Sequence, residues 1–205
     1  MESDHVADRV GHYSSPLPNP AMLQALEREM AIHKLIRRRF VFGYADGNPI
    51  DLLIGAMAWG YGTDNRRGSK NARATLTAGD PPDRVIGAVR NALATQSTSA
   101  GFSAMFADRK PRLPRLNVAF VTKVLHFVGY ETTARPRPLI YDQRVARALA
   151  RMPDAPYIPH TADSSGISGD QYERYCAWSE EYARHHHTEP VVVEYALFDV
   201  GGKMG

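Results

Sequence analysis

Apolar positions along this chain recur every three and four residues, broken by short clusters of proline, glycine and asparagine, which predicts a series of amphipathic helices joined by turns. After a polar opening, Asn19 and Pro20 supply a helix N-cap and first position, leading into Met22, Leu26, Met30, His33 and Ile36 on roughly one face. This helix is expected to close on Arg37-Arg38-Arg39, whose cations suit the negative end of a helix dipole. A second helix begins at Pro49, buries Leu52, Leu53, Ala56 and Met57, and ends in Trp59-Gly60-Tyr61-Gly62. Thr63 to Arg73 reads as a cation-rich loop, with Ser69 opening a helix toward Leu76. Asp80-Pro-Pro-Asp83 opens the next helix, with Val85, Ile86, Val89 and Leu93 as its stripe. Gly101 to Ala107 makes a short amphipathic piece that Asp108-Arg-Lys-Pro111 terminates.

The stretch from Leu113 to Leu149 is the densest in information. Val121, Val124, Leu125 and Val128 stand at i, i+3, i+4 and i+7, one face of a helix, so Lys123 projects elsewhere, beside Ala119, Phe120, Phe127 and roughly His126. Arg135-Pro-Arg-Pro138 cannot be helical, and Leu139-Ile-Tyr leads to Asp142, where a new helix starts over Val145, Ala146 and Leu149. Met152 to Gly169 is a proline-, glycine- and serine-rich loop. Ser168-Gly-Asp-Gln171 has the pattern of a capping box before a helix bearing Tyr172, Tyr175, Cys176, Trp178 and Tyr182. Val191 to Phe198 combines strand propensity with a Pro190 start and a Val193/Leu197 spacing that suit a helix. The sum is an all-α, two-lobed helical protein: a flexible N-terminal arm over 1–18, one helical domain over 19–200 centred on 112–150, and a tail over 201–205.

With 205 residues and 43% hydrophobic content the chain can bury a substantial core as a single monomeric domain. A net charge of +3 permits nucleic acid without requiring it. The absence of a membrane-length apolar run or a signal-peptide start leads to the expectation of a soluble cytoplasmic protein. Cys176 is the sole cysteine, which excludes a disulfide framework. No nucleophile elbow, phosphate-binding glycine loop or dinucleotide fingerprint occurs, so no cofactor is expected.

Candidate chemistry concentrates in three places. Lys123 is an amine in an aromatic strip where solvation is poor, and so a candidate nucleophile; the plainer alternative is a surface lysine. Asp142 at a helix start is either a simple N-cap or an ionised partner for that amine. Arg66, Arg67, Lys70 and Arg73, beside Ser69 and Asn71, have the chemistry used on phosphates, against the alternative of a solvated loop. Trp59 could stack on a base or simply plug a helix end. His185-His186-His187 point in three directions on a helix and cannot jointly ligate one metal, so no metal site is assigned.

Phe120-Val-Thr-Lys-Val-Leu-His-Phe127, followed by Leu139-Ile-Tyr-Asp-Gln-Arg-Val145, resembles the lysine helix and aspartate of the helix-hairpin-helix DNA glycosylases. The bacterial 8-oxoguanine DNA glycosylase-like group is the nearest in pattern, and the likeness extends roughly from Ala56 to Phe198. It implies a base-excision repair glycosylase and AP lyase on double-stranded DNA carrying a damaged purine, 8-oxoguanine first, in the cytoplasm with the nucleoid. Lys123 would attack the sugar and Asp142 would support it, with Phe127, Phe198 and Trp59 lining the base pocket. Arg66, Arg67, Lys70, Arg73, Arg115 and Asn117 would hold phosphates. Where the family has Gly-Leu-Gly-Pro, this chain has Arg115-Leu116-Asn117-Val118; of these Asn117 most readily takes φ > 0, while Arg115 offers a side-chain contact instead. A lone cysteine also excludes the four-cysteine iron–sulfur cluster of one glycosylase branch. Two other classes fit the same residues: a helical DNA-binding module without catalysis, and a protein-interaction domain using the tyrosine-rich helix from Tyr172 to Tyr182.

Overall fold

The structure is a computed structural model that describes residues 19–62, 65–95, 97–158 and 167–203. The expected arm over 1–18 and the last two residues lie outside them. Among the described residues the regular structure is ten helices and one two-stranded hairpin, so the all-α expectation holds. None of these helices is long and apolar enough to cross a membrane. The chain divides into two compact units, the first running to Arg84 and including Leu113–Arg115, the second comprising Val85–Arg112 and the chain from Leu116 on.

In the first unit, α1 (Pro20–His33), α2 (Arg38–Phe42) and α4 (Asn65–Thr77) pack on α3 (Pro49–Tyr61). The side chain of Asn19 accepts from the Ala21 and Met22 amides, as the Asn-Pro pair predicts. Residues Leu52 through Ala58 of α3 are buried without interruption. Gly55 matters here because a Cβ would lie 3.2 Å from Met22 Cε and 3.5 Å from Val41 Cγ1, so its absence lets α1 and α2 come close.

Two expectations about this unit are corrected. The first helix does not close on the three arginines: Lys34 takes a left-handed φ of 62° and caps α1, while Arg37 is extended and Arg38 and Arg39 open α2. Cations at a helix start lose the dipole's help. Two of them find other partners, Arg37 a fork onto the buried Glu29 carboxylate at 2.7 and 3.3 Å, and Arg38 the Trp59 ring at 5.0 Å. Likewise, the cation-rich stretch is helical from Asn65 rather than from Ser69. Ala72 and Thr75 are buried, and the Thr75 hydroxyl donates to the Pro114 carbonyl at 2.7 Å.

The second unit contains most of α5 (Pro82–Thr95), then α6 (Thr98–Ala104), β1 (Phe106–Ala107), β2 (Lys110–Pro111), α7 (Val118–Gly129), α8 (Gln143–Leu149), α9 (Gly169–His185) and α10 (Pro190–Gly202). The piece read as one short helix before Pro111 is thus a helix followed by a β-hairpin. Eleven of the twelve residues of α7 are buried, only Ala119 being partly open, so this is a core helix rather than a surface helix with one apolar stripe. The helix α8 packs on α10, and α9 packs on α6 and α10. Ser168 and Gln171 form the expected capping box. The ambiguous Val191–Phe198 segment is helical, and the helix runs through Gly202, past the point where a tail was expected. The reason is contact: a Cβ on Gly201 would stand 1.9 Å from the Arg144 carbonyl oxygen, so only glycine lets α10 continue against α8.

Candidate active site

The buried helix α7 carries Lys123 into the core of the second unit, where the residue is 7% exposed. Its Nζ lies 3.4 Å from the Ala119 carbonyl, one turn back, and 5.3 Å from the centre of the Phe120 ring. Asp142 N-caps α8, and its two oxygens divide the work. Oδ1 accepts from the Arg144 and Val145 amides at 3.0 and 3.1 Å, while Oδ2 faces Lys123 Nζ at 4.0 Å. The cap is thus made by one oxygen, and the geometry leaves the other free to face the amine, so the two sequence readings of Asp142 do not compete. Because 4.0 Å exceeds hydrogen-bond distance, the amine and carboxylate are adjacent without being locked together. Such pairs in ligand-free sites commonly tighten only when substrate arrives.

What fixes this pair is the extended segment from Arg137 to Tyr141, whose backbone groups are taken up by side chains from three helices. From α7, the Thr122 hydroxyl accepts from the Tyr141 amide at 3.0 Å and lies 3.2 Å from the Tyr141 carbonyl, and His126 Nδ1 is 2.9 Å from the Pro138 carbonyl. From α9, Tyr172 and Tyr175 donate to the Leu139 and Ile140 carbonyls at 2.7 and 3.0 Å, and Glu180 accepts from the Arg137 amide. From α10, the buried Glu194 carboxylate accepts from the Ile140 amide at 3.3 Å. A buried backbone without a sheet partner must be satisfied by side chains, and here that requirement sets where Asp142 begins its helix.

Burial keeps the donors of this network protonated. It pushes the phenols of Tyr172 and Tyr175 well above their ordinary range, with Cys176 adding for Tyr172, and Glu194, Cys176 and Asp142 adding for Tyr175. The Cys176 thiol, which faces the Leu139 amide, is likewise pushed up to about 12 by burial. None of these supporting residues was read as part of this site from the sequence, where Tyr172 and Tyr175 entered only through the interaction-helix alternative, although a threonine inside an apolar helix and a glutamate inside Val-Val-Val-Glu-Tyr-Ala-Leu were visible signals.

The remaining candidates fall as follows. Phe127 is 1% exposed, its ring meeting the His126 ring at 5.5 Å. Phe198 is half-buried, with one face covered by the Arg144 guanidinium at 4.6 Å. Asn117 is exposed and caps α7 by accepting from the Phe120 amide, with an ordinary φ of −75°. The positive φ of the turn before α7 falls instead on Arg115, at 68°, and Arg115 is exposed. In the first unit, Trp59 is half-buried beneath Arg38, and Lys70 and Arg73 are exposed on α4. The side chains of Arg66 and Arg67 lie outside the described residues. Among the described residues no group of three histidine, cysteine or carboxylate side chains could hold a metal ion.

A buried amine facing a carboxylate that also caps the next helix can act as a nucleophile with an electrostatic partner, which is the chemistry that the sequence resemblance implied. The model of the family described as "Putative 8-oxoguanine DNA glycosylase OGG-like protein" matches residues 3–198. No curated protein and no solved structure matches the chain. With nearly its whole length matched, the chain belongs to this OGG-like 8-oxoguanine DNA glycosylase family.

Proposed function

We propose that this protein is a bifunctional DNA glycosylase and AP lyase that extrudes a damaged purine, 8-oxoguanine foremost, and removes it with Lys123 as nucleophile and Asp142 as its electrostatic partner. The observation that carries the reading is the 4.0 Å approach of Lys123 Nζ to Asp142 Oδ2, with Oδ1 held by two amides.

The target base lies inside the stack, so it must be flipped out at a cost of a few kcal/mol, which phosphate contacts offset. The exposed Lys70 and Arg73 on α4, with Arg115, are suited to such contacts. A free lysine has a pKa of about 10.4, so Lys123 must lose its proton before attacking C1′ of the sugar. As the C–N glycosidic bond breaks, its electron pair leaves with the base, which takes up a proton. Asp142 Oδ2 faces the positive charge that develops on the sugar. The amine then holds the opened sugar as a Schiff base, from which loss of a C2′ proton expels the 3′ phosphate by β-elimination.

A single-turnover screen of base release over duplexes with defined lesions tests this. Lys123→Gln and Asp142→Asn are expected to lower release from the preferred lesion by about a hundredfold or more while leaving the fold intact. Wild-type rates in Lys123→Gln would remove the mechanism. The second reading, a DNA-binding module without catalysis, is favoured by one observation, the non-glycine turn at Arg115. It predicts salt-sensitive duplex affinity with no base released from any lesion.

A further inference from the structure

The hairpin between α6 and the turn that precedes α7 is plainer in structure than in sequence. Phe106 pairs with Pro111 and Ala107 with Lys110, leaving Asp108 and Arg109 as a two-residue turn. Both turn residues have positive φ, 48° and 64°, the conformation of a type I′ turn. That turn ordinarily holds Asn-Gly, because a Cβ is strained at the second position. Here the second position is an arginine.

The base of the hairpin is firmly seated. Phe106 packs on Phe102 at 5.0 Å, Phe102 on the buried Tyr172 at 5.1 Å, and the Arg112 amide donates to the Met105 carbonyl at 2.9 Å. The tip is the opposite: Asp108, Arg109 and Lys110 are all exposed. No ion pair or side-chain hydrogen bond of Arg109 or Lys110 occurs among the described residues. Asp108 cancels one of the two charges, so the tip remains cationic. A stem packed on the core, an arginine held where glycine would be unstrained, and a tip with a net positive charge together indicate strain kept for a purpose other than folding.

We propose that the Phe106–Pro111 hairpin is a contact for the DNA phosphate backbone, with Arg109 and Lys110 as the groups that touch it. This rests on the reading of the protein as a DNA glycosylase, and it adds a surface that lies outside the lysine helix and its aspartate. The guanidinium would take a phosphate by its fork and the ammonium as a point charge.

Arg109→Gly separates a structural role from a binding role, because it relieves the turn while deleting the cation. The expected result is a melting temperature equal to or above wild type, a loss of about five- to tenfold in affinity for a short undamaged duplex, and a salt slope smaller by about one. Lys110→Ala should behave alike in affinity and slope, and Arg109→Lys should keep the slope. Arg174→Ala, an exposed cation on α9, is the control for net charge alone. Wild-type affinity and slope in Arg109→Gly, or an equal loss in Arg174→Ala, would overturn the assignment. A wild-type protein with salt-dependent duplex affinity but no base release would overturn the catalytic reading and leave the hairpin contact standing on its own binding result. No salt-dependent affinity at all would overturn both.

Discussion

Thr122→Val removes a single oxygen from the centre of the network that places Asp142. The Thr122 side chain is fully buried; its hydroxyl accepts from the Tyr141 amide at 3.0 Å and has the Tyr141 and Ala119 carbonyls within 3.2 Å as acceptors. Valine fills nearly the same volume, so the packing of α7 is retained and the change is confined to hydrogen bonding. Taking a buried amide's acceptor away costs about 1–3 kcal/mol, and the hydroxyl's own donated bond adds about 1, giving a loss of roughly 2–4 kcal/mol in unfolding free energy. The urea midpoint should fall by that amount divided by an unchanged m-value. Activity should fall further than stability explains, because Tyr141 directly precedes Asp142 and a displacement of about 1 Å in such a group lowers rates by about a hundredfold. Thr122→Ser keeps the hydroxyl and loses one methyl, so it should cost about 1 kcal/mol and leave single-turnover base release near wild type. A valine variant with wild-type midpoint and wild-type rate would refute the positioning role of this network.

Two more outcomes follow from close packing and from burial. Gly201→Ala places a Cβ 1.9 Å from the Arg144 carbonyl oxygen and 2.6 Å from its carbon, both backbone atoms of the first turn of α8, so it should destabilise by about 3 kcal/mol in urea unfolding; an unchanged midpoint would contradict the contact. The Cys176 thiol and the Tyr172 and Tyr175 phenols hold their protons in the native state to higher pH than their ordinary values of 9.0 and 10.0, so above pH 9 the unfolded chain binds fewer protons than the native one. Stability from these groups is therefore complete below pH 9 and declines as pH rises toward 12, with Cys176→Ala removing the earliest part of the decline. Unfolding free energies that stay flat or rise between pH 8 and 11 would contradict it.

Much of the fold was legible because its signals are local. Asn19, Ser168 and Asp142 cap the helices that they were read to cap, and the Ser168/Gln171 pair closes reciprocally as its spacing indicates. The failures come where tertiary contacts outweigh local preference. Arg37 to Arg39 suit a helix end by charge, yet the buried Glu29 and the Trp59 ring draw two of them into the start of α2. Gly201 and Gly202 resemble a fraying tail until the Arg144 backbone is seen against them. Asp108 and Arg109 carry no hairpin signature, since the turn conformation that they adopt is one that sequence assigns to glycine.

The site divides in the same way. Lys123 and Asp142 were candidates from two motifs in the right order, and they lie 4.0 Å apart in the structure. The residues that hold them in register were not, because Thr122, Tyr172, Tyr175 and Glu194 look like ordinary core and helix positions until the backbone from Arg137 to Tyr141 is found, among the described residues, to have no strand beside it. Nor did the sequence say which turn residue would adopt positive φ: Asn117 is the better candidate by propensity, and it is occupied instead in capping α7, leaving Arg115 to make the turn.

Borohydride reduction during turnover, followed by peptide mapping of the protein–DNA adduct, addresses the central claim most directly. The account predicts one adduct, formed on Lys123 and abolished by Lys123→Gln. An adduct on a different amine, or base release without any trapped species, would contradict it.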